Sequence, residues 1–461
     1  MKNITFIILA FLLTTTIFGQ EISGDWNGIL KIPTGKQISI VFHVIKSEKG
    51  YSSSMDSPDQ KAFGIPVTTT TFENSSIKFG IPNAQIEYEG TLKENIIIGF
   101  FKQAGQSVSM DLSREKLAKS EPNVKLNRPQ EPIKPYAYYS EDVIFPNKNA
   151  GINLAGTLTL PKKDGRFPVM ILITGSGPQN RDEELLGHKP FLVLSDYLTK
   201  NGIAVLRYDD RGIGLSKGDF KTATTQDFSS DVDAAIAYLK TRKEINKNKI
   251  GLIGHSEGGV IAPMVASKSK DVAFIVLMAG SGLNGKKLIL LQKELIERQM
   301  GIPETDIAKG QEIIGGAYDL VIKSDNNENL IPKVQSYFKE KFNNQLPEDQ
   351  LNSLTNQITS PWWKYFLKYD PAIALENVKC PVLAINGEKD LQVPAKSNIE
   401  AISKSLAKGG NKKVTTKIFP NLNHLFQECT TGSVDEYSKI EQTISPIALN
   451  EILSWIKIQI K

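Results

Sequence analysis

The sequence predicts a doubly wound α/β sheet carrying a helical insertion, preceded by a small all-β domain. Three observations carry that expectation. From Glu141 onward, short apolar runs alternate with helical stretches, as parallel strands joined by crossover helices do. Residues 21–113 hold shorter alternating runs punctuated by Gly, Asn and Pro, the pattern of strands joined by turns. Between the two, residues 114–140 carry Pro122, Pro129, Pro132 and Pro135 among Lys, Glu and Asn. Proline interrupts helix and ladder alike, so this stretch is expected to be an exposed, semi-extended linker.

Taken in chain order, residues 1–20 read as a secretory signal. Lys2 supplies a positive end, Ile4–Leu13 is almost unbroken apolar sequence, and Gly19-Gln20 is a plausible cleavage zone. The apolar run is short for a membrane span, and no other window approaches the ~20 apolar residues a span needs. The mature chain is therefore expected to begin near Glu21, to be periplasmic or secreted, and to have no stable membrane insertion. In residues 21–113, strands are expected at Ile38–Ile45, Thr68–Phe72, Ile77–Phe79, Gln85–Tyr88, Asn95–Phe101 and Ser107–Leu112, forming a small barrel or sandwich. In residues 141–461 the buried-strand candidates are Val169–Thr174, Ile203–Arg207, Lys249–Ile253, Ala273–Ala279, Val382–Asn386 and Val414–Phe419. Helical patterns at Asp227–Leu239 and Gly258–Lys268 lie between them. The interval 283–370 is too long for a bare loop and is helical in pattern, as at Lys287–Arg298 and Pro332–Phe342, so it is expected to be a helical lid.

Composition removes several function classes. Lys plus Arg is 55 against 50 for Asp plus Glu, a net charge of +5 over 461 residues, which gives no case for a nucleic-acid partner. Four His and two Cys are too few for a His/Cys metal cluster or a disulfide framework. Cys380 and Cys429 are expected at opposite ends of neighbouring strands, too far apart to bridge.

Gly-x-Ser-x-Gly occurs twice, as Gly254-His255-Ser256-Glu257-Gly258 and as Gly214-Leu215-Ser216-Lys217-Gly218. A nucleophile elbow requires a strand, a strained turn bearing Ser, then a helix. Ser256 has the strand Lys249–Ile253 before it and a helix-compatible stretch after it. Ser216 follows a strand that ended near Arg207 and precedes loop-like sequence, so it reads as a loop serine. A serine hydroxyl needs a base to take its proton. In folds with this elbow the acid follows the serine and the histidine follows the acid. His43, His188 and His255 all precede Ser256, which leaves His424, just past the last strand. The acid should leave Val382–Asn386; Asp390 is best placed, Glu388 is the competitor, and Asp370 reads as a cap at the end of the insertion. An oxyanion requires two preorganised N–H donors. Glu257 supplies one from its backbone, and Ser176, or failing that Gly177, supplies the other from the loop after Val169–Thr174. The Glu257 side chain reads either as a first-turn helix charge or as a pocket-lining group. Arg207, Asp209 and Arg211 read as charges pinning loops. Trp362 and Trp363, with Tyr365 and Phe366, either line an acyl pocket or join the lid to the sheet.

These stretches resemble the α/β-hydrolase superfamily, and more narrowly the secreted bacterial carboxylesterases with an N-terminal β domain and a helical lid. The resemblance is carried by Ile173–Asp182, Arg207–Ser216, Gly254–Gly259, Asn386–Asp390 and Asn423-His424. Thr174 before Gly175 departs from the commoner His-Gly oxyanion loop. The resemblance implies hydrolysis of a small-molecule ester through an acyl-enzyme, with no metal or organic cofactor. Amide or thioester cleavage on the same triad, or a binding protein with a relict hydrolase fold, are the alternatives.

Overall fold

Period-two alternation builds the N-terminal core. In the strand Gln37–Ser47, Ile38, Ile40, Phe42 and Val44 are buried and the residues between them are half-exposed, as one face of a sheet turned to a core requires. The computed structural model describes residues 21–31, 37–48, 50–60, 62–84, 86–103, 106–116, 127–324 and 329–461. The segment read as an export signal lies outside them. The chain divides into two compact units, Met1–Asn123 and Val124–Lys461.

In the first unit ten strands form one antiparallel sheet. Its two outermost strands, Ala62–Val67 and Thr69–Glu73, are consecutive in the chain. Ser53 Oγ meets Thr70 Oγ1 at 2.6 Å, so the sheet curls nearly into a barrel. Phe42 and Phe79 stack with centroids 4.3 Å apart inside it. The buried Trp26 indole donates to the Ile22 carbonyl at 2.8 Å. Three strands, Gly24–Lys31, Gly50–Ser57 and Ala62–Val67, were not expected from the sequence; their Gly, Ser, Asp and Pro residues hide the alternation.

The second unit is built on an eight-stranded sheet. Its strands are β1 (Tyr139–Asn147), β2 (Ile152–Leu160), β3 (Phe167–Ile173), β4 (Ala204–Tyr208), β5 (Ile245–His255), β6 (Val272–Met278), β7 (Val382–Gly387) and β8 (Val414–Phe419). Their spatial order is β1-β2-β4-β3-β5-β6-β7-β8. Strand β2 alone runs against the others, antiparallel to both its neighbours β1 and β4, and β3 through β8 pair in parallel. Strand β3 shows why both faces must be covered. Val169, Ile171 and Ile173 enter one core while Met170 and Leu172 enter the other. The first core is closed by α2 (Thr225–Thr241), α3 (Gly258–Ala266) and α10 (Ala395–Lys408), the second by α1 (Pro190–Lys200) and α11 (Pro446–Gln459). Helix α2 begins on a capping box in which Thr224 and Asp227 satisfy each other's backbone N–H groups.

Between β6 and β7 the chain forms α4 (Gly285–Gln299), α5 (Glu304–Lys323), α6 (Leu330–Lys341), α7 (Glu348–Ile358) and α8 (Pro361–Lys368). These helices bury a core of their own around Tyr318, Val321, Val334, Phe338 and Leu351. Asp370 caps α9 (Pro371–Leu375), accepting from Ala372 N–H at 3.0 Å.

The expected linker does not remain free through residue 140. Arg128 forks between two stretches of backbone, donating to the Leu186 and Gly187 carbonyls at 3.2 and 3.1 Å. It also reaches the Ser438 and Ile440 carbonyls at 3.2 and 2.8 Å. Gln130 joins the Thr443-Ile444 backbone as donor and acceptor. A proline-rich stretch is extended for local reasons, but where its polar side chains dock is a tertiary fact. Removing the guanidinium leaves four part-buried carbonyls short of a donor, so Arg128→Ala is expected to cost about 2 kcal/mol in urea unfolding. Arg128→Lys should recover little of it, because a single ammonium cannot reproduce the fork. Full stability in Arg128→Ala would refute this role.

Candidate active site

The loops at the carboxyl ends of β3, β5, β7 and β8 converge. Strand β5 stops at His255, α3 starts at Gly258, and Ser256 turns the corner at φ 53°. A non-glycine residue adopts that conformation at a cost, so its neighbours must enforce it. Ser256 N–H donates to the Met278 carbonyl at 2.9 Å, and Gly259 N–H donates to the Ser256 carbonyl at 2.9 Å. A Cβ at Gly254 would run into the Gly258 carbonyl, and one at Gly258 into the Ile173 carbonyl. Strand, turn and helix are therefore packed backbone against backbone.

His424 follows β8 on a tight loop. Asn423, fully buried, accepts from the Leu425 and Gln427 N–H groups at 3.0 Å each, which fixes the loop around His424. The His424 Nδ1 lies 2.7 Å from Asp390 Oδ2. Asp390 Oδ1 accepts from the Gln392 and Val393 N–H groups at 2.8 Å each, so the carboxylate is locked before it meets the imidazole. With Nδ1–H turned to a carboxylate, Nε2 is left as the acceptor. Glu388 is exposed and accepts from Asn421 N–H at 3.2 Å; it does not reach the histidine. The His424 ring sits 4.8 Å, centroid to centroid, from that of His255, the residue before Ser256. Among the described residues no hydrogen bond joins Ser256 Oγ to His424, as is common before a substrate draws such a pair together.

Ser176, Ser256 and Glu257 line one cavity with Trp362, Phe366 and Val393. Among the described residues no protein acceptor faces the N–H of Ser176 or of Glu257. The N–H of Gly175 is already occupied by Glu183 Oε1 at 2.7 Å. Glu183 also meets His255 Nδ1 at 2.9 Å. Sequence reasoning passed over both Glu183 and His255; the one available signal was a charged run, Arg181-Asp182-Glu183-Glu184, directly after a loop bound for the interior.

The other polar residues settle into the roles their surroundings allow. Ser216 is buried, donates to the Asp209 carbonyl at 2.7 Å and accepts from Ala155 N–H at 2.9 Å, a loop serine. Asp209 holds Arg181 through both carboxylate oxygens, Arg207 pairs with Asp182, and Arg211 is held by Asp231. Glu257 is a pocket-lining group: its Oε1 accepts from Thr225 Oγ1 at 2.6 Å and from the Trp362 indole N–H at 2.8 Å. Burial pushes its carboxyl up to about 7. The α8 aromatics divide their work. Trp362 and Phe366 stack at 4.7 Å in the cavity wall, while Trp363 stacks on Tyr318 inside the lid. Cys380 and Cys429 are free thiols. Among the described residues no group of His, Cys, Asp and Glu is arranged to hold a metal ion, and no helix is long and apolar enough to cross a membrane.

The strand order, the elbow after β5 and the histidine loop after β8 decide the architecture. The larger unit has the α/β-hydrolase fold. Residues 232–429 of this hydrolase unit match the family model described as BAAT / Acyl-CoA thioester hydrolase C terminal, and residues 141–295 match that of Acyl transferase. The chain is 28% identical to Esterase EstD of Thermotoga maritima over 324 residues, 69% of each protein. It is 32% identical to an acyl transferase of Shewanella hanedai over 123 residues, 26% of this chain and 37% of that relative. It thus spans little more than a third of the acyl transferase. Among solved structures it is similar to the α/β hydrolase GrgF from Penicillium sp. sh18, with 16% identity, 70% of this chain and 99% of that one covered, and a TM-score of 0.44. Est1E from Butyrivibrio proteoclasticus, solved with ferulic acid bound, is similar at 16% identity, 69% and 97% coverage and a TM-score of 0.42.

Two outcomes follow for the hydrolase unit. Gly258→Ala is expected to leave almost no soluble folded protein, whereas Gly315→Ala, whose added carbon meets Leu290 Cδ1 at 3.6 Å, is expected to express normally. Equal yields would show that the elbow is not close-packed. Glu257 makes stability depend on pH. Its folded value near 7 lies above the ordinary 4.5, so the folded state binds that proton more tightly. The contribution is full below about pH 4.5 and is lost as pH rises through about 7, a change on the order of 3 kcal/mol. Urea unfolding of Glu257→Gln should show a flatter profile over this window; an identical slope would refute the assignment.

Proposed function

We propose that this chain is an exported carboxylesterase that works through an acyl-enzyme on Ser256, His424 and Asp390. The reading is carried by the locked Asp390–His424 pair beside a serine on a strained strand-to-helix turn. The esterase relative, aligned over 69% of both chains, supports the same reaction class. In this scheme Ser256 Oγ attacks the ester carbonyl while His424 Nε2 takes its proton. Asp390 keeps the ring in the Nδ1–H tautomer and stabilises the imidazolium. The unoccupied N–H groups of Glu257 and Ser176 receive the oxyanion. His424 returns the proton to the departing alcohol, then activates the water that releases the acid. The thioester description of the family model over residues 232–429 favours one second reading, a thioester in place of the oxygen ester, since the tetrahedral chemistry is shared.

Hydrolysis of p-nitrophenyl esters by the purified chain tests the scheme. Ser256→Ala should abolish turnover and fluorophosphonate labelling. Asp390→Asn should lower kcat by about four orders of magnitude through the wrong tautomer. Undiminished hydrolysis by Ser256→Ala would end this proposal. A parallel acyl-thioester assay separates the two substrate classes. Export through residues 1–20 predicts a mature chain starting near Glu21, which N-terminal sequencing of material secreted by an expression host would check.

A further inference from the structure

Behind the elbow a second polar chain joins three loops that the catalytic scheme treats separately. It runs from Gly175 N–H to Glu183 Oε1 at 2.7 Å, on to His255 Nδ1 at 2.9 Å, and from His255 Nε2 to the carbonyl oxygen of His424 at 3.0 Å. Its ends are the loop that presents Ser176 and the loop that presents His424. Its middle residue is bonded to Ser256 in the chain. His255 and Glu183 are both buried.

The protonation of His255 follows from what its nitrogens face. A peptide carbonyl only accepts, so Nε2 carries a proton. Nδ1 faces a carboxylate oxygen that already accepts the Gly175 N–H, and an ionised carboxylate also only accepts. The 2.7 Å Gly175 contact is short for a neutral N–H···O bond and fits a charged acceptor. This arrangement suits protons on both ring nitrogens. Glu183 Oε2 is buried without a hydrogen-bond partner, which leaves Oε1 to serve both donors. The other charge near this ring is Asp390, beyond His424, and Phe426 flanks the ring at 6.5 Å.

We propose that His255 is a positioning residue, held as an imidazolium by Glu183, that couples the Ser176 loop to the His424 loop. The carboxylate of Glu183 lies at Nδ1, Nε2 lies against the His424 backbone, and the two rings sit 4.8 Å apart. The oxyanion donor and the base are thereby held to one another through a single side chain. The kinetic consequence rests on the esterase reading; the protonation state does not.

Two measurements test this. The chain has four histidines, so long-range ¹H–¹⁵N spectra of the full-length protein are tractable, with His→Asn variants at 43, 188 and 424 assigning the remaining ring. At pH 8 His255 should carry protons on both nitrogens; a single protonated nitrogen would overturn the proposal. In kinetics, His255→Asn should lower kcat about tenfold or more with KM nearly unchanged, because the oxyanion donor and the base lose their mutual registration while the cavity that binds substrate stays intact. Glu183→Gln should do the same, since it removes the carboxylate that holds the imidazolium. Unchanged kcat, or a rise in KM as large as the fall in kcat, in both variants would reduce the chain to simple packing and overturn the proposal. If no Ser256-dependent hydrolysis is found, the esterase reading fails while the spectra still decide the state of His255. If the variants do not fold, the wild-type spectra decide it alone.

Discussion

The larger unit depends on one close approach, in which the backbone of α3 lies against the end of β3 with no side chain between them. Gly254 and Gly258 are the positions where a single added carbon would strike a carbonyl. That approach forces the chain from strand to helix within two residues and leaves Ser256 at a positive φ. The strain at one serine, about 1–2 kcal/mol for this region of φ/ψ space, is small beside the burial of every α3 side chain. The same geometry puts Glu257 at the start of the helix, where backbone N–H groups have no intrahelical acceptor. A half-buried serine facing the cavity and, among the described residues, an unpaired N–H on the next residue are thus two results of one packing constraint.

The loops around the elbow contain little apolar surface, and buried carboxylates hold them instead. Asp209 gathers Arg181 and the Leu215 N–H. Asp210 takes the Thr174 hydroxyl and the Gln179 N–H. Asp390 takes two N–H groups of its own loop before it takes His424. Each acid binds a neighbouring loop to a strand end. Burial of these charges is costly, and it is offset only where every lone pair finds a donor. Burial raises the Asp210 carboxyl well above its usual range, so here the cost is only partly offset. A network of this kind contributes less to net stability than to the uniqueness of the arrangement, because a loop that moves leaves a buried acid unpaired.

How much of this is legible in the sequence depends on how local each cause is. The elbow is legible because strand, glycines and helix are contiguous. His424 is legible because few histidines exist and one alone lies after Ser256. The strands of the central sheet are legible because they are buried on both faces and read as unbroken apolar runs. The hairpin β1–β2 is not, since Pro146 and the polar residues of Ile152–Leu160 blur its alternation. The docking of Arg128 is invisible because its four carbonyl partners are 58 or more residues away. Glu183 and His255 are invisible as a pair for the same reason, separated by 72 residues. Glu257 illustrates a choice that local sequence leaves open. A first-turn glutamate and a pocket-lining glutamate are written identically, and only the arrival of Trp362 from the lid, 105 residues later, separates them.

That contact also explains how a helix as short as α8 holds its place. Eight residues cannot sustain a helix in water by themselves. Ser360 caps the first turn and Pro361 sets its φ, but the orientation comes from two opposite anchors. Trp363 is stacked on Tyr318 in the lid core, and Trp362 is hydrogen-bonded to Glu257 beside the serine. Consecutive tryptophans on a helix point about 100° apart, so one can belong to the lid while the other belongs to the site. A ligand that displaces Trp362 leaves Glu257 Oε1 with Thr225 as its one remaining partner, and a buried carboxyl near neutrality then loses half of what holds it. The wall of the cavity and the residue after Ser256 are therefore coupled. What enters the cavity meets the side chain of a residue whose backbone N–H has no protein acceptor among the described residues.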